Sequence, residues 1–251
     1  MDITQKFYDS LASQYDKLFS DWNSATCEQA EILNRIFKAY GFGCGASILD
    51  CACGIGTQAI GLARLGYGVT ASDFSDAEIS EAKARATDSN VKIRFENADF
   101  RELSKAFSEQ FDIVIAMDNA LPHMLTGEDL KKAIGSIVDR IGENGIFVGS
   151  IRDYDAILKD KPPYSPPYIH KTEIGQRVSF QTWEWNDENY KLIQYIIDDG
   201  DTLKTSRFEC EYRAVRRDEL TEIFLSCGCS KADWLFPDET DFYQPIIVVR
   251  K

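Results

Sequence analysis

Apolar residues recur along the chain with two periods, and the changes from one to the other divide it into elements. Phe7, Tyr8, Leu11, Tyr15, Leu18 and Phe19 fall at helical spacing, predicting an amphipathic helix near the start. A stronger helix is predicted from Glu28 to Tyr40: Ala30, Leu33, Phe37 and Tyr40 share one face with Ile32 and Ile36, and Gly41 stops it. Ile48 and Leu49 end a short buried strand. Gln58 to Leu65 is helical, with Gly66 as its cap, and Val69 to Ser72 is a second strand. Ser75 and Glu78 form a capping box that opens a helix running to about Ala86. Val91 to Glu96 is a third strand, and the β-branched-rich run Phe111 to Met117 is a central, buried fourth. Thr126 opens another helix, Ile146 to Ile151 is a fifth strand, and a helix from Arg217 to Cys227 precedes strands at Ala232–Phe236 and Tyr243–Arg250. Strands alternating with helices predict an α/β, doubly wound and mostly parallel sheet, with the closing pair as an antiparallel edge.

One segment breaks this rhythm. Lys161 to Tyr168 is proline-rich and extended in preference. Arg177 to Trp185, Tyr190 to Asp198 and Thr205 to Val215 then read as three β runs separated by turn residues. An antiparallel β cap inserted after the fifth strand would roof the carboxyl ends of the sheet, and it carries Trp183, Trp185, Tyr190, Tyr195 and Tyr212. The resulting division is residues 1–46 as an N-terminal helical segment, 47–151 with 214–251 as the core, and 152–213 as the cap. For the N-terminal segment, plain packing and a lid over the site fit the periodicity equally well.

Composition narrows the partners. Hydrophobic residues at 44% and charged residues at 27% are ordinary for a globular chain. A net charge of -13 without a Lys/Arg cluster argues against nucleic acid, which needs a basic footprint. No apolar run reaches membrane-spanning length, and the first residues do not form a signal peptide, so a small-molecule partner and a cytoplasmic setting are expected. Monomer and homo-oligomer stay equally open. Seven cysteines, an odd number, fit a reducing compartment better than a disulfide framework. Cys51-x-Cys53 and Cys227-x-Cys229 are spaced too closely for paired zinc ligands, and the chain has only two histidines; no metal is expected.

The chemistry concentrates at Asp50-Cys-Ala-Cys-Gly54-Ile-Gly56. Strand, glycine loop, helix, strand and Asp73 make a mononucleotide-binding βαβ half. Gly54-x-Gly56-x-x-Ala59 matches the dinucleotide fingerprint, which keeps a nicotinamide-dependent oxidoreductase in play. Asp50 opposes that reading, because a carboxylate at the end of the first strand would repel a diphosphate. A ligand carrying ammonium, sulfonium and adenosine suits acids at Asp50 and Asp73. The loop resembles the first motif of the class I S-adenosylmethionine-dependent methyltransferases. This resemblance implies a seven-stranded sheet and S-adenosyl-L-methionine as cofactor. It places Ala52, Gly54 and Gly56 beside the methionine part, Asp73 on the ribose with Phe74 next to it, and Asp99 on the adenine amino group between Ala98 and Phe100. Met117 and His123, after the fourth strand, fall on the cofactor side.

A sharper resemblance covers residues 117 to 225. Met117-Asp-Asn119-Ala-Leu-Pro-His123, Ile151-Arg152-Asp-Tyr154-Asp and Tyr195 are similar to the glycine and glycine/sarcosine N-methyltransferases. It implies Arg152 as the anchor of an amino-acid carboxylate, Asn119 as a contact to the amine, and Tyr195 as a cap tyrosine lining the pocket. The opening Phe7 to Asp16 resembles that of small-molecule methyltransferases, with Tyr15 near cofactor and substrate. His170 stands where that group has a tyrosine, which leaves glycine itself in question. The expected activity is methyl transfer to the nitrogen of glycine, sarcosine or a related amine. Acceptors reacting through oxygen, carbon or sulfur, and a non-catalytic S-adenosylmethionine-binding role, are the other readings. His123, with an ordinary pKa near neutrality, is a candidate general base.

Overall fold

The computed structural model describes residues 3–173 and 175–251. Helix α1 (Ile3–Leu11) buries Phe7 and Leu11, continues as a 3-10 helix over Ala12–Leu18, and is followed by α2 (Trp22–Ala39). Helix α2 starts six residues before the predicted Glu28. The Asp21 carboxylate caps it by accepting from the Asn23 and Ser24 N–H groups, and the Trp22 indole N–H donates to Thr57 at 3.0 Å. Then come β1 (Ser47–Asp50), α3 (Thr57–Arg64), β2 (Gly68–Asp73), α4 (Asp76–Asp88), β3 (Arg94–Asn97) and β4 (Phe111–Ala116). The alternation goes on with α5 (Gly127–Val138), β5 (Ile141–Ser150) and α6 (Tyr154–Asp160). The Ser75 and Thr126 side chains cap α4 and α5, but the Ser75–Glu78 capping box closes only by half, because the Ser75 N–H goes to Asp73 and the Glu78 carboxyl bonds to nothing.

The cap consists of β6 (Tyr168–Thr172), β7 (Gly175–Asn186), β8 (Asn189–Asp199) and β9 (Leu203–Arg213). The chain closes with α7 (Arg217–Ser226), β10 (Lys231–Leu235), the short α8 (Pro237–Thr240) and β11 (Ile246–Arg250). Seven strands form one sheet in the order β10-β11-β5-β4-β1-β2-β3, in which β11 runs against both of its neighbours and the other pairs are parallel. A separate antiparallel sheet runs β6-β7-β8-β9. The core strands are sealed on both faces; Ile48, Leu49, Ile113, Val114, Ile146 and Val248 have no exposed surface.

Three differences from the predicted elements have local causes. The cap has four strands, because the end of the proline-rich stretch pairs Tyr168–Thr172 with Ser179–Gly175. Residues 154–160 form a helix, with Asp153 accepting from the Ala156 N–H. The last strand starts at Ile246 instead of Tyr243, whose ring turns toward the mouth of β4 so that its hydroxyl donates to Asp118. The strand order reverses between β1 and β4, where α/β sheets open a crevice at their carboxyl ends.

Candidate active site

That crevice is a cavity of about 1100 Å³, counting its open mouth. The loop after β1 forms its floor. Gly56 takes φ +90° as the N-cap of α3, and a Cβ there would sit 3.0 Å from the Ile60 side chain, so only glycine fits the turn. Gly54, also at positive φ, donates its N–H to the Asp73 carboxylate at 3.0 Å, and the other Asp73 oxygen accepts from the Ser75 N–H. Gly61 lets α3 lie against α2, since a Cβ there would be 2.4 Å from the Thr26 carbonyl.

Four carboxylates gather around this floor. Asp50 is buried; one oxygen faces the Ala52 N–H at 3.4 Å and the other has no partner. Burial, assisted by Asp73 and Asp118, pushes it up to about 8. Asp73 is raised to about 6 by burial, against the pull of its N–H donors. Glu78, on the first turn of α4, is fully buried with neither oxygen bonded, and burial holds it well above the ordinary range. Asp118 accepts from the Tyr243 hydroxyl at 2.7 Å and the Gln58 amide at 2.8 Å. Asp50 and Glu78 keep buried oxygens without a partner, which is costly in a protein that binds nothing, and together with Asp73 and Asp118 on the cavity wall they suit a cationic ligand.

The expected cofactor residues divide into two groups. Tyr15, Ala52, Gly54, Asp73, Phe74, Ala98, Asp99, Phe100, Met117 and His123 line the cavity; Asp50 and Gly56 lie behind its wall. Asp99 caps the 3-10 turn Phe100–Lys105 and is gripped by the Arg101 guanidinium. Tyr8 and Tyr15 close the top from the N-terminal segment, which is tied to the core and the cap. Ser75 donates to Asp9, and Lys17 pairs with Asp198 at 2.9 Å. His123 is bonded on both nitrogens, to the Tyr8 hydroxyl at 2.8 Å and the Glu211 carbonyl at 3.2 Å, with Tyr212 packed on its ring. Burial lowers it to about 3, so the ring stays neutral and only weakly basic, with both nitrogens already engaged.

Arg152, just past β5, is held under the cap. Its guanidinium donates to the Tyr190 hydroxyl at 2.7 Å and to the Gln181 side chain at 3.0 Å, between the rings of Trp183 and Tyr212. Among the described residues no carboxylate pairs with it, and Tyr190, Tyr154 and Tyr212 favour its charged form. Two of the residues expected near it take other positions. Asn119 is buried behind the wall, its carbonyl accepting from the Arg152 N–H and its amide donating to Tyr154, so it braces the arginine instead of reaching an amine. Tyr195 does not join the cluster. It stacks on Phe180, five residues from Tyr190 and on the opposite face of β8, because alternate strand residues point opposite ways. Tyr190 and Tyr154, whose hydroxyls are 2.9 Å apart, take the place expected of Tyr195. Tyr8, Gln181 and Gln58 were not signalled as site residues. Only Tyr8 carried a hint, being seven residues from Tyr15 and so on the same helical face.

Residues 48–145 match the family profile described as a methyltransferase domain. The Bacillus subtilis protein YqeM, named as a methyltransferase without a substrate, is 34% identical over 223 residues, covering 88% of this chain and 85% of its own. The chain belongs to the S-adenosylmethionine-dependent methyltransferases. The glycine/sarcosine N-methyltransferase of Parasynechococcus marenigrum is 27% identical to this methyltransferase over 218 residues, 85% of this chain and 73% of that protein. An S-adenosylmethionine-dependent methyltransferase structure from Clostridium acetobutylicum shares its fold, with a TM-score of 0.76 and 18% identity over 97% of this chain and 98% of that one. The cofactor of this methyltransferase is S-adenosylmethionine.

Proposed function

We propose that this enzyme methylates the nitrogen of a small amino acid of the glycine or sarcosine type. The observation that carries the reading is Arg152: a cation under an aromatic roof with no anionic partner among the described residues, beside the cofactor cavity. Its planar fork has N–H donors to spare and suits a carboxylate bidentately. Support also comes from relatives at 24–27% identity that are named glycine/sarcosine N-methyltransferases.

Asp73 would hold the cofactor ribose, and Asp99 with Ala98 and Phe100 would frame the adenine. Ala52 and Gly54 would face its methionine part, with Asp50 behind them favouring its positive charge. The same acids would oppose the diphosphate of a nicotinamide dinucleotide. When bound, S-adenosylmethionine supplies the methyl group, its carbon–sulfur bond breaking with the electron pair left on sulfur as the carbon–nitrogen bond forms. The protein aligns the acceptor and excludes water. Arg152, steadied by Asn119, Tyr190 and Gln181, fixes the carboxylate; Tyr15 and Tyr8 cover the site; residues 152–213 serve as the substrate cap.

A methyl-transfer screen over glycine, sarcosine, other amino acids and simple amines tests the reading directly. With the best substrate, Arg152→Ala should raise KM roughly a hundredfold, the ~3 kcal/mol of a buried charge-assisted pair. S-adenosylmethionine affinity should change less than about twofold, since Arg152 lies outside the cofactor wall. Equal loss of both would remove Arg152 from the substrate site.

A further inference from the structure

Beyond the carboxylate anchor, the site holds a charge that none of the roles above uses. Asp118 and Asn119 follow β4 as two successive residues with left-handed backbone, φ +55° and +69°. Hydrogen bonds from their N–H groups to the Ser150 side chain and carbonyl hold them there. Outside glycine, this conformation is tolerated mainly by Asn and Asp. Its effect is to send the two side chains apart: Asn119 goes under Arg152, and Asp118 lines the cavity. The Asp118 carboxylate is fixed from two elements, by Gln58 of α3 and by Tyr243 ahead of β11, and each oxygen keeps a lone pair free.

Tyr15 and Asp118 line the same cavity, and Arg152 is tied to that wall through its backbone N–H, which donates to the side chain of Asn119, the residue after Asp118. Burial above all, then Asp118, Glu78 and Asp73, pushes the Tyr15 phenol upward, and Arg152 pulls it back; Tyr243 feels Asp118 and Arg152 in the same senses. Asp118 and Arg152 therefore stand on either side of the Asn119 position, an acid on the cavity wall under Tyr15 and a cation beneath the cap. A zwitterion is the small molecule that matches both.

We propose that Asp118 recognises the acceptor's ammonium group opposite Arg152 and takes from it the proton that must leave before the nitrogen can attack. This rests on reading Arg152 as the carboxylate anchor. An amino-acid amine enters the site protonated, and an ammonium has no lone pair to offer. One N–H bond breaks with its electron pair remaining on nitrogen, and an O–H bond forms on Asp118. The nitrogen regains a positive charge on methylation, and Asp118 returns its proton to solvent when product leaves. Burial raises Asp118 above an ordinary carboxylate, which suits a group that must hold a proton for part of each turnover.

The test uses the full-length enzyme with Asp118→Asn, which keeps the shape, the tolerance of a left-handed backbone and an acceptor for Tyr243. For the amino-acid substrate found in the screen, kcat/KM should fall at least a hundredfold, while calorimetry gives an S-adenosylmethionine affinity within about twofold of wild type. Two inhibitors separate the ends of the pocket: methylamine, an amine without a carboxylate, and acetate, a carboxylate without an amine. Both should compete with substrate in the wild type; Asp118→Asn should abolish competition by methylamine and spare that by acetate. Loss of cofactor affinity with an unchanged substrate KM would assign Asp118 to the cofactor's own ammonium and overturn the proposal. Unchanged kcat/KM, or methylamine competing equally with both proteins, would overturn it as well. Should the variant fail to fold, wild-type inhibition decides: no competition by methylamine rejects the Asp118 site. Competition by methylamine but not acetate keeps Asp118 and rejects Arg152.

Discussion

Asp50 sits at the end of β1 with one oxygen unpartnered and almost no exposed surface. Its position was legible in the sequence, because an acid between an apolar strand and a glycine loop has few other places to lie. The depth of its burial was not, since that depends on segments carrying Asp73 and Asp118 coming up beside it from later in the chain. The burial has a thermodynamic consequence. A carboxyl held at about 8 in the folded protein, against about 4 unfolded, takes up a proton on folding at any pH between the two. Its stabilising contribution is therefore full below the unfolded value and is lost as pH rises through the folded one. Asp73, raised to about 6, acts in the same sense over a narrower window. The ligand-free enzyme should lose thermal stability between about pH 5 and about pH 8 and level off above that. Asp50→Asn should flatten most of that decline. Scanning calorimetry of both proteins across the range is the check, and parallel curves would show that Asp50 titrates normally.

At the scale of elements, the sheet was legible where strands are buried on both faces, because a run such as Ile113–Ala116 has no other way to hide its side chains. The cap was legible as β structure but not in its facing. Strands β7 to β9 mix polar and apolar residues on both faces, so the alternation does not say which tyrosine looks inward. Pairing decides it: Tyr190 lies opposite Tyr212 and Trp185, the side that meets Arg152, and Tyr195 lies opposite Phe180 and Arg207. Helix α6 was missed for a similar reason, since its stop, Lys161 in a left-handed conformation, precedes a proline pair that reads as loop. The facing of β8 makes a paired prediction. Tyr190→Phe removes a hydrogen bond to a charged group, worth roughly 1.5–3 kcal/mol, and should raise the amino-acid KM about tenfold or more. Tyr195→Phe, on the outer face, should leave KM within about twofold. Steady-state kinetics of the two variants side by side tests the register, and a larger effect at Tyr195 would reverse it.

Over the whole molecule, the sequence states the total charge but not its placement. The net charge of -13 could have been spread evenly, yet Asp50, Asp73 and Asp118, from three separate parts of the chain, meet at the carboxyl ends of adjacent strands, with Glu78 of α4 beside Asp73. Folding brings them together because β1, β2 and β4 all end at the point where the strand order reverses. Asp50, at about 8, and Glu78 hold protons near neutrality, so low-dielectric walls concentrate the field of the acids still ionised, and the excess of acids elsewhere extends it into solvent. S-adenosylmethionine carries one net positive charge, from sulfonium and ammonium less one carboxylate; its demethylated product carries none. The field should therefore draw in the donor and act weakly on the product. The Debye length shrinks from about 30 Å at 0.01 M salt to about 8 Å at 0.15 M, so the steering should weaken over that interval. Stopped-flow tryptophan fluorescence should show the association rate of S-adenosylmethionine falling severalfold, about a factor of three to ten, while that of S-adenosylhomocysteine moves less than about twofold. A fall of equal size for both would mean that the acids respond to the shared ammonium and not to the sulfonium. Asp118→Asn should then leave the slope for the donor nearly intact, because one neutralised group changes little in a field summed over the whole surface.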